Sequence, residues 1–216
     1  MGIRLVVTGS FVCIWVLSAQ QNGHRRKYPR SGDTVVELMP VSEPNSLEQL
    51  IRMSTLIVDG TVVSTLPPIS TTHHPTEPAV ETHSIVSVRT VLKGAAPGNA
   101  ARILPAQFGG RAGYWNVTAA GDPLIAANER YIFFLMNDTR KEVPNVSGLP
   151  RYGAVGVWSG KVKVVEGKIV FRRRAYAGLH KYDNTDVNDF TQKIKDILTN
   201  PAIPTNNLPI HPGPPL

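Results

Sequence analysis

The chain has 216 residues, of which 42% are hydrophobic and 7% aromatic, and it carries a formal charge of +7. This length and apolar content exclude a wholly disordered chain and suit one domain with terminal extensions. The single cysteine excludes an intramolecular disulfide framework and any cysteine-rich zinc or iron–sulfur site. The positive charge makes acidic ligands and nucleic acids the partners to consider first.

Residues 1–19 have the features of a secretory signal peptide. A positive residue near the start is followed by a largely apolar stretch, and the small residues Ser18 and Ala19 precede the predicted cleavage. Cys13 lies inside this stretch, so the mature chain would hold no cysteine. The sequence therefore predicts a secreted or periplasmic protein with no membrane span after cleavage. The basic flank at 24–27 leaves open an uncleaved signal that anchors the chain in the membrane.

The first half of the mature chain is predicted to form a linker, a short helix and two strands. Residues 20–45 are polar, basic and interrupted by proline, which indicates a flexible linker with a short extended piece at 34–39. A helix begins after Ser46, because Gln49 three residues later completes a capping box. Periodicity predicts a strand at 56–65 with a bulge at Asp59-Gly60, a loop at 66–78, and a half-buried strand at 80–92.

The second half is predicted to add further strands and a terminal helix. The nearly all-apolar run at 130–136 indicates a central strand buried on both faces, and Glu166-Gly167 indicates a tight hairpin. Apolar residues recur on one helical face after Asp186. Other predicted elements are strands at 102–108, 154–158, 161–165 and 168–171, a long loop at 111–128, and a disordered proline-rich tail at 200–216. One mainly β domain at 46–199 follows.

The order of these pieces resembles known exported domains. The resemblance rests on the strand 54–64, on the Val-Leu-Lys-Gly that ends a strand at 91–94, and on the segment 128–135 after Gly109-Gly110. The pieces resemble a broad group of exported bacterial proteins of unassigned function and, distantly, netrin-like domains and tissue inhibitors of metalloproteinases. Over roughly residues 50–171 the resemblance implies an antiparallel OB-like β-barrel, to which the patterns above add a short N-terminal helix and a C-terminal helix.

One departure from the inhibitors concerns their mechanism. In those inhibitors an N-terminal cysteine chelates the zinc of the target, whereas this chain has no cysteine at its predicted mature N-terminus. The barrel carries over and the inhibitory wedge does not. A shared fold does not by itself supply an activity.

Histidines and carboxylates between residues 73 and 83 invite comparison with a zinc site. The residues are His73, His74, Glu77, Glu81 and His83. They lack the helical His-Glu-x-x-His spacing of a zinc hydrolase. The first three fall in a proline-rich loop, and His83 is expected on the solvated face of a strand. The sequence therefore predicts no metal site.

Catalytic signatures are also scarce. The chain lacks a Gly-x-Ser-x-Gly elbow and, once cleaved, any cysteine nucleophile. The glycine-rich segment 109–113 is followed by neither Lys-Ser/Thr nor a helix, so it is not a phosphate loop. Asp59, Glu81, Asp122 and Glu129 are scattered through strands and loops, which is unlike a paired catalytic dyad. We expect no enzyme, no catalytic residues and no cofactor.

Basic and aromatic residues provide the remaining candidate site. OB-type barrels bind oligomeric ligands with aromatic platforms and basic side chains. The candidate ligand-binding residues are Tyr114, Trp115, Trp158, Arg172, Arg173 and Arg174. Because an exported protein rarely meets nucleic acid, we expect an anionic cell-envelope polymer, phospholipid headgroups or another exported protein as partner. The alternative is that these charges only aid solubility.

Three functions remain open at this point. The first is an exported, non-enzymatic binding or interaction module of unknown ligand. The second is a protease-inhibitor-like domain that uses the loop 66–78 or 109–128 in place of a cysteine. The third is a metal-assisted hydrolase that uses the histidine-rich loop.

Overall fold

The computed structural model describes residues 3–8, 11–15, 33–40, 43–71, 79–95, 101–113, 115–140 and 147–200. The fold is mainly β, with 45% strand and 18% helix. The strands are β1 (Ile3–Thr8), β2 (Phe11–Trp15), β3 (Asp33–Pro40), β4 (Leu56–Thr65), β5 (Ile69–Ser70), β6 (Val80–Lys93), β7 (Arg102–Phe108), β8 (Gly110–Ala112), β9 (Trp115–Ala119), β10 (Arg130–Asn137), β11 (Arg151–Ala154), β12 (Lys161–Val165) and β13 (Lys168–Val170). The helices are α1 (Leu47–Met53), α2 (Val187–Thr199) and a 3₁₀ helix at Ala177–Tyr182.

Five strands close into a barrel in the order β4, β6, β7, β11 and β10, with β10 pairing back to β4. Four of the five strand pairs are antiparallel. The fifth, between β7 and β11, is parallel and joins Tyr152 to Pro105. The structure therefore confirms the predicted OB-like barrel with its short N-terminal helix and its C-terminal helix.

Two hydrophobic cores lie on the two faces of the barrel wall. Side chains from all five barrel strands, including Val58, Val86, Ile103, Phe133 and Tyr152, pack together, and only the barrel interior lets all five strands meet. The alternate residues of β4 and β10 point outwards and pack against α1, α2 and the 3₁₀ helix. This two-sided burial explains why β10 is a continuous apolar run, as the sequence predicts.

The ends of the helices follow from the capping residues in the sequence. Ser46 Oγ accepts from Gln49 N at 3.2 Å, and Gln49 Oε1 accepts from Asn45 N at 2.8 Å, so the capping box closes one residue earlier than at Ser46. At the other end of α1, the ammonium of Lys93 donates to the carbonyls of Ile51 and Ser54 at 2.7 and 2.6 Å. Lys93, at the end of β6, therefore caps the C-terminal end of α1.

Two sequence predictions about elements are wrong in detail, and a third element has no prediction. Residues 111–128 are not one long loop, because β8 and β9 form a hairpin there, with Arg111 opposite Asn116. The predicted strand 154–158 begins and ends earlier, at Arg151 and Ala154, and turns follow it. The 3₁₀ helix at 177–182 was not predicted, since it has no capping side chain and one buried apolar residue to mark it.

A second sheet has the order β2–β1–β3–β9–β8. Strand β3 occupies the extended piece expected at 34–39 and pairs in parallel with both β1 and β9. Strands β1 and β2 lie within the predicted signal peptide and pair as a hairpin. Signal cleavage and the disordered tail at 200–216 stay predictions, the tail lying outside the described residues. No helix in the described part of the chain has the length and apolar character needed to cross a bilayer.

The segment 120–129, which we call the plug loop, closes one end of the barrel. Strand β11 has only four residues, so the second half of β7 lacks a strand partner on that side. Gln107 of β7 bonds the loop instead: its Nε2 donates to Pro123 O at 2.8 Å, and its Oε1 accepts from Ile125 N at 3.0 Å. Ile125 then inserts into the interior core. The plug loop thus covers the unpaired part of β7 and closes this end of the barrel core in place of a further strand.

Candidate ligand pocket

A pocket of about 290 Å³ lies between the plug loop and the β12–β13 hairpin. It arises because β10 changes partner along its length: residues 130–133 pair with β12, whereas residues 135–137 pair with β11. The hairpin therefore continues the sheet beyond the barrel, next to the plug loop. The lining residues are Pro123, Leu124, Glu129, Tyr131, Lys163, Val170, Phe171 and Arg172.

The hairpin that forms one wall has the tight turn that the sequence predicts. Glu166 and Gly167 both have positive φ, at 50° and 75°, as a type I′ turn requires. This turn places Lys163 opposite Val170. On its other side Lys163 lies opposite Tyr131 of β10. Three lining side chains are therefore set by strand register.

A carboxylate held by three donors forms the polar edge of the pocket. Glu129 Oε2 accepts from Tyr131 Oη at 2.6 Å and from Ala126 N at 3.1 Å, and Oε1 accepts from Lys163 Nζ. Burial opposes ionisation, but the hydrogen bonds from Lys163 and Tyr131 hold the pKa of Glu129 below its usual value. Burial and the bond to Glu129 raise the pKa of the Tyr131 phenol. The carboxylate is thus ionised and fixed in direction.

A buried charge cluster lies directly behind the pocket. Lys161 Nζ contacts Asp122 Oδ2 at 2.6 Å, and Arg172 Nη1 lies 3.2 Å from Asp122 Oδ1. The side chains of Lys161 and Asp122 are 5% and 1% exposed. Burial lowers the pKa of Lys161 to about 8, even though Asp122 favours the charged ammonium. Arg172 also donates to Pro123 O at 2.7 Å, so this cluster holds the plug loop against the hairpin.

The segment before α1 is tied to the same region by Glu43. Its Oε1 accepts from Ser159 Oγ, and its carboxylate lies in the turn at 156–159 that joins β11 to β12. Gly156 has φ +59° there, and a Cβ at that position would overlap Glu43. Burial raises the pKa of Glu43, although the Ser159 hydroxyl opposes the shift. Glu43 thus connects the chain entering the domain to the turn beside Lys161.

The predicted arginine run separates into three different environments. Arg172 is the buried partner of Asp122, with 9% of its side chain exposed. Arg173 is exposed, and Arg174 lies over the ring of Trp158 at 5.8 Å from the ring centroid. Gly121, with φ +75°, leaves room for the Arg174 side chain. The structure therefore places Arg172 in the pocket lining and leaves Arg173 and Arg174 facing solvent.

The predicted aromatic residues do not form one platform. Trp158 is 8% exposed and packs into the core outside the barrel, and the guanidinium of Arg174 stacks on its ring. Trp115 is half-buried at the start of β9 and packs against the same core. Tyr114 lies outside the described residues. The aromatic side chains that do line the pocket are Tyr131 and Phe171.

His83 is not on a solvated strand face, so that expectation is wrong. It is 1% exposed, as the first five residues of β6 are buried on both faces. The start of the β10–β11 connection covers this strand. Arg140 donates to Glu81, and its Nε and Nη2 donate to the two carboxylate oxygens of Asp138 at 2.9 and 2.7 Å. Arg151 Nε lies 3.1 Å from Asp138 Oδ2. This paired cluster attaches the connection to the barrel wall.

Within the described residues, no three histidine, cysteine, aspartate or glutamate side chains lie close enough together to hold a metal ion. His73, His74 and Glu77 lie outside the described residues. The histidine loop that the sequence offered for zinc is therefore without a structural description.

The four carboxylates that the sequence offered for acid–base chemistry each face a cation. Asp59 accepts from Arg130 Nε and Nη2 at 2.9 and 2.7 Å. Glu81 pairs with Arg140, Asp122 with Lys161, and Glu129 with Lys163. Each is thus committed to holding two elements together.

Sequence reasoning missed the polar residues of the pocket itself. Sequence reasoning treats Glu129 as one of four scattered carboxylates. It treats Tyr131, Lys161 and Lys163 only as parts of strands. A usable signal exists in β12, where lysines alternate with valine at 161 and 163 in a strand that pairs with the central strand. Charged residues on a centrally placed strand need partners. The partner Asp122 is distant in sequence, so the pattern alone does not find it.

Comparisons with protein-family models and with curated protein sequences found no match to the chain. The geometry of the pocket is therefore the basis for assigning a function.

Proposed function

We propose that the protein is an exported, non-enzymatic binding module whose ligand is an anionic polymer of the cell envelope. The observation that carries this proposal is the position of the arginine run: Arg172 lines the pocket, and Arg173 and Arg174 follow it at the surface. A ligand with a compact unit in the pocket would bring its neighbouring anionic groups beside these two exposed guanidinium groups. Arginine suits this role because its planar fork binds phosphate, sulfate and carboxylate oxygens.

Binding suits the pocket better than catalysis because its polar groups are already engaged with each other. Glu129 is held by Lys163, Tyr131 and a backbone amide, and Arg172 by Asp122 and Pro123. A general base works best when its pKa lies near the working pH, whereas the pKa of Glu129 is held below its usual value. These side chains instead form a rigid lining, which is what a binding site requires.

The inhibitor-like alternative gains no support from the segment 109–128. That segment folds back on the barrel as the β8–β9 hairpin and the plug loop, and Gln107 and Arg172 hold it by hydrogen bonds to its backbone. An inhibitory loop has to project from its scaffold to enter a protease cleft. Residues 69–70 of the other proposed loop pair with β6, and residues 72–78 lie outside the described part of the chain.

The experiment compares salt-dependent retention on heparin of two doubly substituted variants. R173A/R174A removes the exposed charges beside the pocket and leaves Arg172, which the fold needs. K193A/K195A removes the same charge from the exposed face of α2 and serves as the matched control. We expect R173A/R174A to elute at clearly lower salt than wild type and the control to elute close to wild type. Equal elution of the two variants would show that net charge alone retains the protein and would refute the proposal.

A further inference from the structure

The pocket has one apolar side that is open to solvent. Leu124 of the plug loop and Val170 of β13 are 40% and 37% exposed, and Pro123 and Phe171 extend the same surface. Exposed aliphatic side chains that line a concavity leave apolar surface in water, which a ligand with an apolar face would cover. The β13 backbone adjoining Val170 is bonded on its outer edge to residues 184–187, so strand addition is not the use of this surface.

Next to this apolar surface the pocket offers donors and acceptors close together, since Lys163 lies opposite Val170 in the β12–β13 pair. Glu129 presents a fixed, ionised carboxylate, and Lys163 presents an ammonium, both partly exposed. A hydroxyl group donates to a carboxylate and accepts from an ammonium at the same time. Two such groups fixed side by side therefore suit a ligand with neighbouring hydroxyls, each of which both donates and accepts.

The charges that line the pocket cancel each other. Glu129 balances Lys163, and the carboxylates of Asp122 and Glu43 face Arg172 and Lys161. A strongly charged unit such as a triphosphate would face a carboxylate at 129 with no surplus cation inside the pocket. Two further cations, Arg173 and Arg174, are exposed and lie outside the pocket lining. The pocket itself thus favours a neutral polar unit, and the surface beside it favours an anionic neighbour.

The size of the pocket limits the unit that enters. At about 290 Å³ it is at the lower end of small-molecule sites, which start at roughly 300 Å³. One six-membered ring with its substituents fits this space, whereas several linked rings do not. A ring with an apolar face and a polar edge of hydroxyls meets all three requirements.

We infer that the pocket binds a single neutral pyranose ring of a glycan, with the ring face on Leu124 and Val170 and its hydroxyls on Glu129 and Lys163. This inference rests on the proposed function and names the unit of the polymer that the pocket reads. Glu129 and Lys163 are specificity-determining residues in this arrangement. Arg173 and Arg174 contact the anionic groups of adjacent units.

The test is a chemical-shift titration of the ¹⁵N-labelled protein with a panel of neutral methyl pyranosides, the matching uronates, and cyclohexanol as an apolar ring without vicinal hydroxyls. We expect at least one neutral pyranoside to shift the amides of the plug loop, β12 and β13 at millimolar concentration, and cyclohexanol to shift them less. Val170→Trp fills the pocket from an exposed position and should weaken the pyranoside at least about tenfold. Lys163→Met, which removes only the ammonium, should weaken it while leaving cyclohexanol unaffected.

Several results would overturn the inference. They are a panel without any shift at the pocket, equal binding to Val170→Trp, or binding of uronates alone. A pyranoside that binds R173A/R174A as it binds wild type supports the inference, because those arginines lie outside the pocket. Failure of the proposed function would appear separately, as unchanged heparin retention of R173A/R174A relative to its control. The two failures are therefore distinguishable.

Discussion

Replacing Lys161 by Met tests the energetic role of the charge cluster behind the pocket. The substitution keeps the length of the side chain but removes the ammonium that lies 2.6 Å from Asp122 Oδ2, in a pair with 5% and 1% side-chain exposure. Breaking a buried ion pair by deleting one partner costs about 3–5 kcal/mol, because the other charge is left uncompensated. Here Arg172 still lies 3.2 Å from Asp122 and compensates its carboxylate, and burial already disfavours the ammonium of Lys161, so we expect Lys161→Met to cost less than about 1 kcal/mol.

The second variant separates an uncompensated charge from a simple packing defect. Asp122→Asn keeps the size of the side chain but removes the carboxylate that faces both Lys161 and Arg172. Two buried cations are then left uncompensated, so we expect a loss of about 3–5 kcal/mol. Lys193→Met, on the exposed face of α2, should change stability by less than about 0.5 kcal/mol.

Urea unfolding at pH 7, followed by tryptophan fluorescence, measures these free energies. Trp158 packs in the core that the cluster adjoins, so its emission reports on this part of the fold. A loss above about 3 kcal/mol for Lys161→Met would refute the claim that Arg172 compensates the buried carboxylate. An Asp122→Asn variant as stable as Lys161→Met would refute the claim that this carboxylate compensates two buried cations.

Three further predictions concern the same scaffold. In the folded chain the pKa of Lys161 falls to about 8, so above that pH the unfolded state binds one more proton than the folded state. The stability of wild type relative to Lys161→Met should therefore rise by about 2 kcal/mol between pH 8 and 10. A flat difference in urea midpoints would contradict this. Gln107→Leu leaves the buried amide of Ile125 without its hydrogen-bond partner, so we expect a loss of about 2 kcal/mol and faster hydrogen exchange at Ile125, with slow exchange there as the opposing result. Gly94→Ala should cost clearly more stability than Gly167→Ala in thermal unfolding. Both glycines have positive φ, but only a Cβ at Gly94 would overlap a backbone carbonyl. Equal losses of about 1 kcal/mol in stability would show that backbone strain alone operates.

The parts of the fold that sequence reasoning predicts are those whose cause is local. Ser46 and Asp186 begin their helices because a capping side chain is close in sequence to the amide it bonds. The bulge at Asp59-Gly60 appears as a shift in the β4–β6 register, and Glu166-Gly167 makes its tight turn. In each case a few adjacent residues contain the whole physical reason.

The parts that sequence reasoning misses depend on distant partners. The β8–β9 hairpin at 110–119 is glycine-rich and half-buried, and its second strand is supported by pairing with β3, which is far away in sequence. His83 is buried because Arg140 and Arg151 cover its strand, and no periodicity within β6 records that cover. An alternating strand looks half-buried until another segment lies on its polar face.

The candidate site shows the same division. The run Arg172–Arg174 is visible in the sequence as one basic cluster, and its position after the last strand is correct. Its separation into one buried and two exposed side chains depends on Asp122 and Trp158, which reach it through the plug loop and the turn after β11. The pocket lies where these elements meet, so only the tertiary structure assembles it.

The most direct test of the binding site is a chemical-shift map of the ¹⁵N-labelled protein titrated with a heparin tetrasaccharide. The mapping needs no substitution and reports on every backbone amide of the folded chain. The proposed site predicts saturable shifts centred on the arginine run at residues 172–174 and on the plug-loop residues 121–123 beside it. Shifts centred on the exposed end of β6, at residues 89–91, or the absence of any saturable shift, would contradict it.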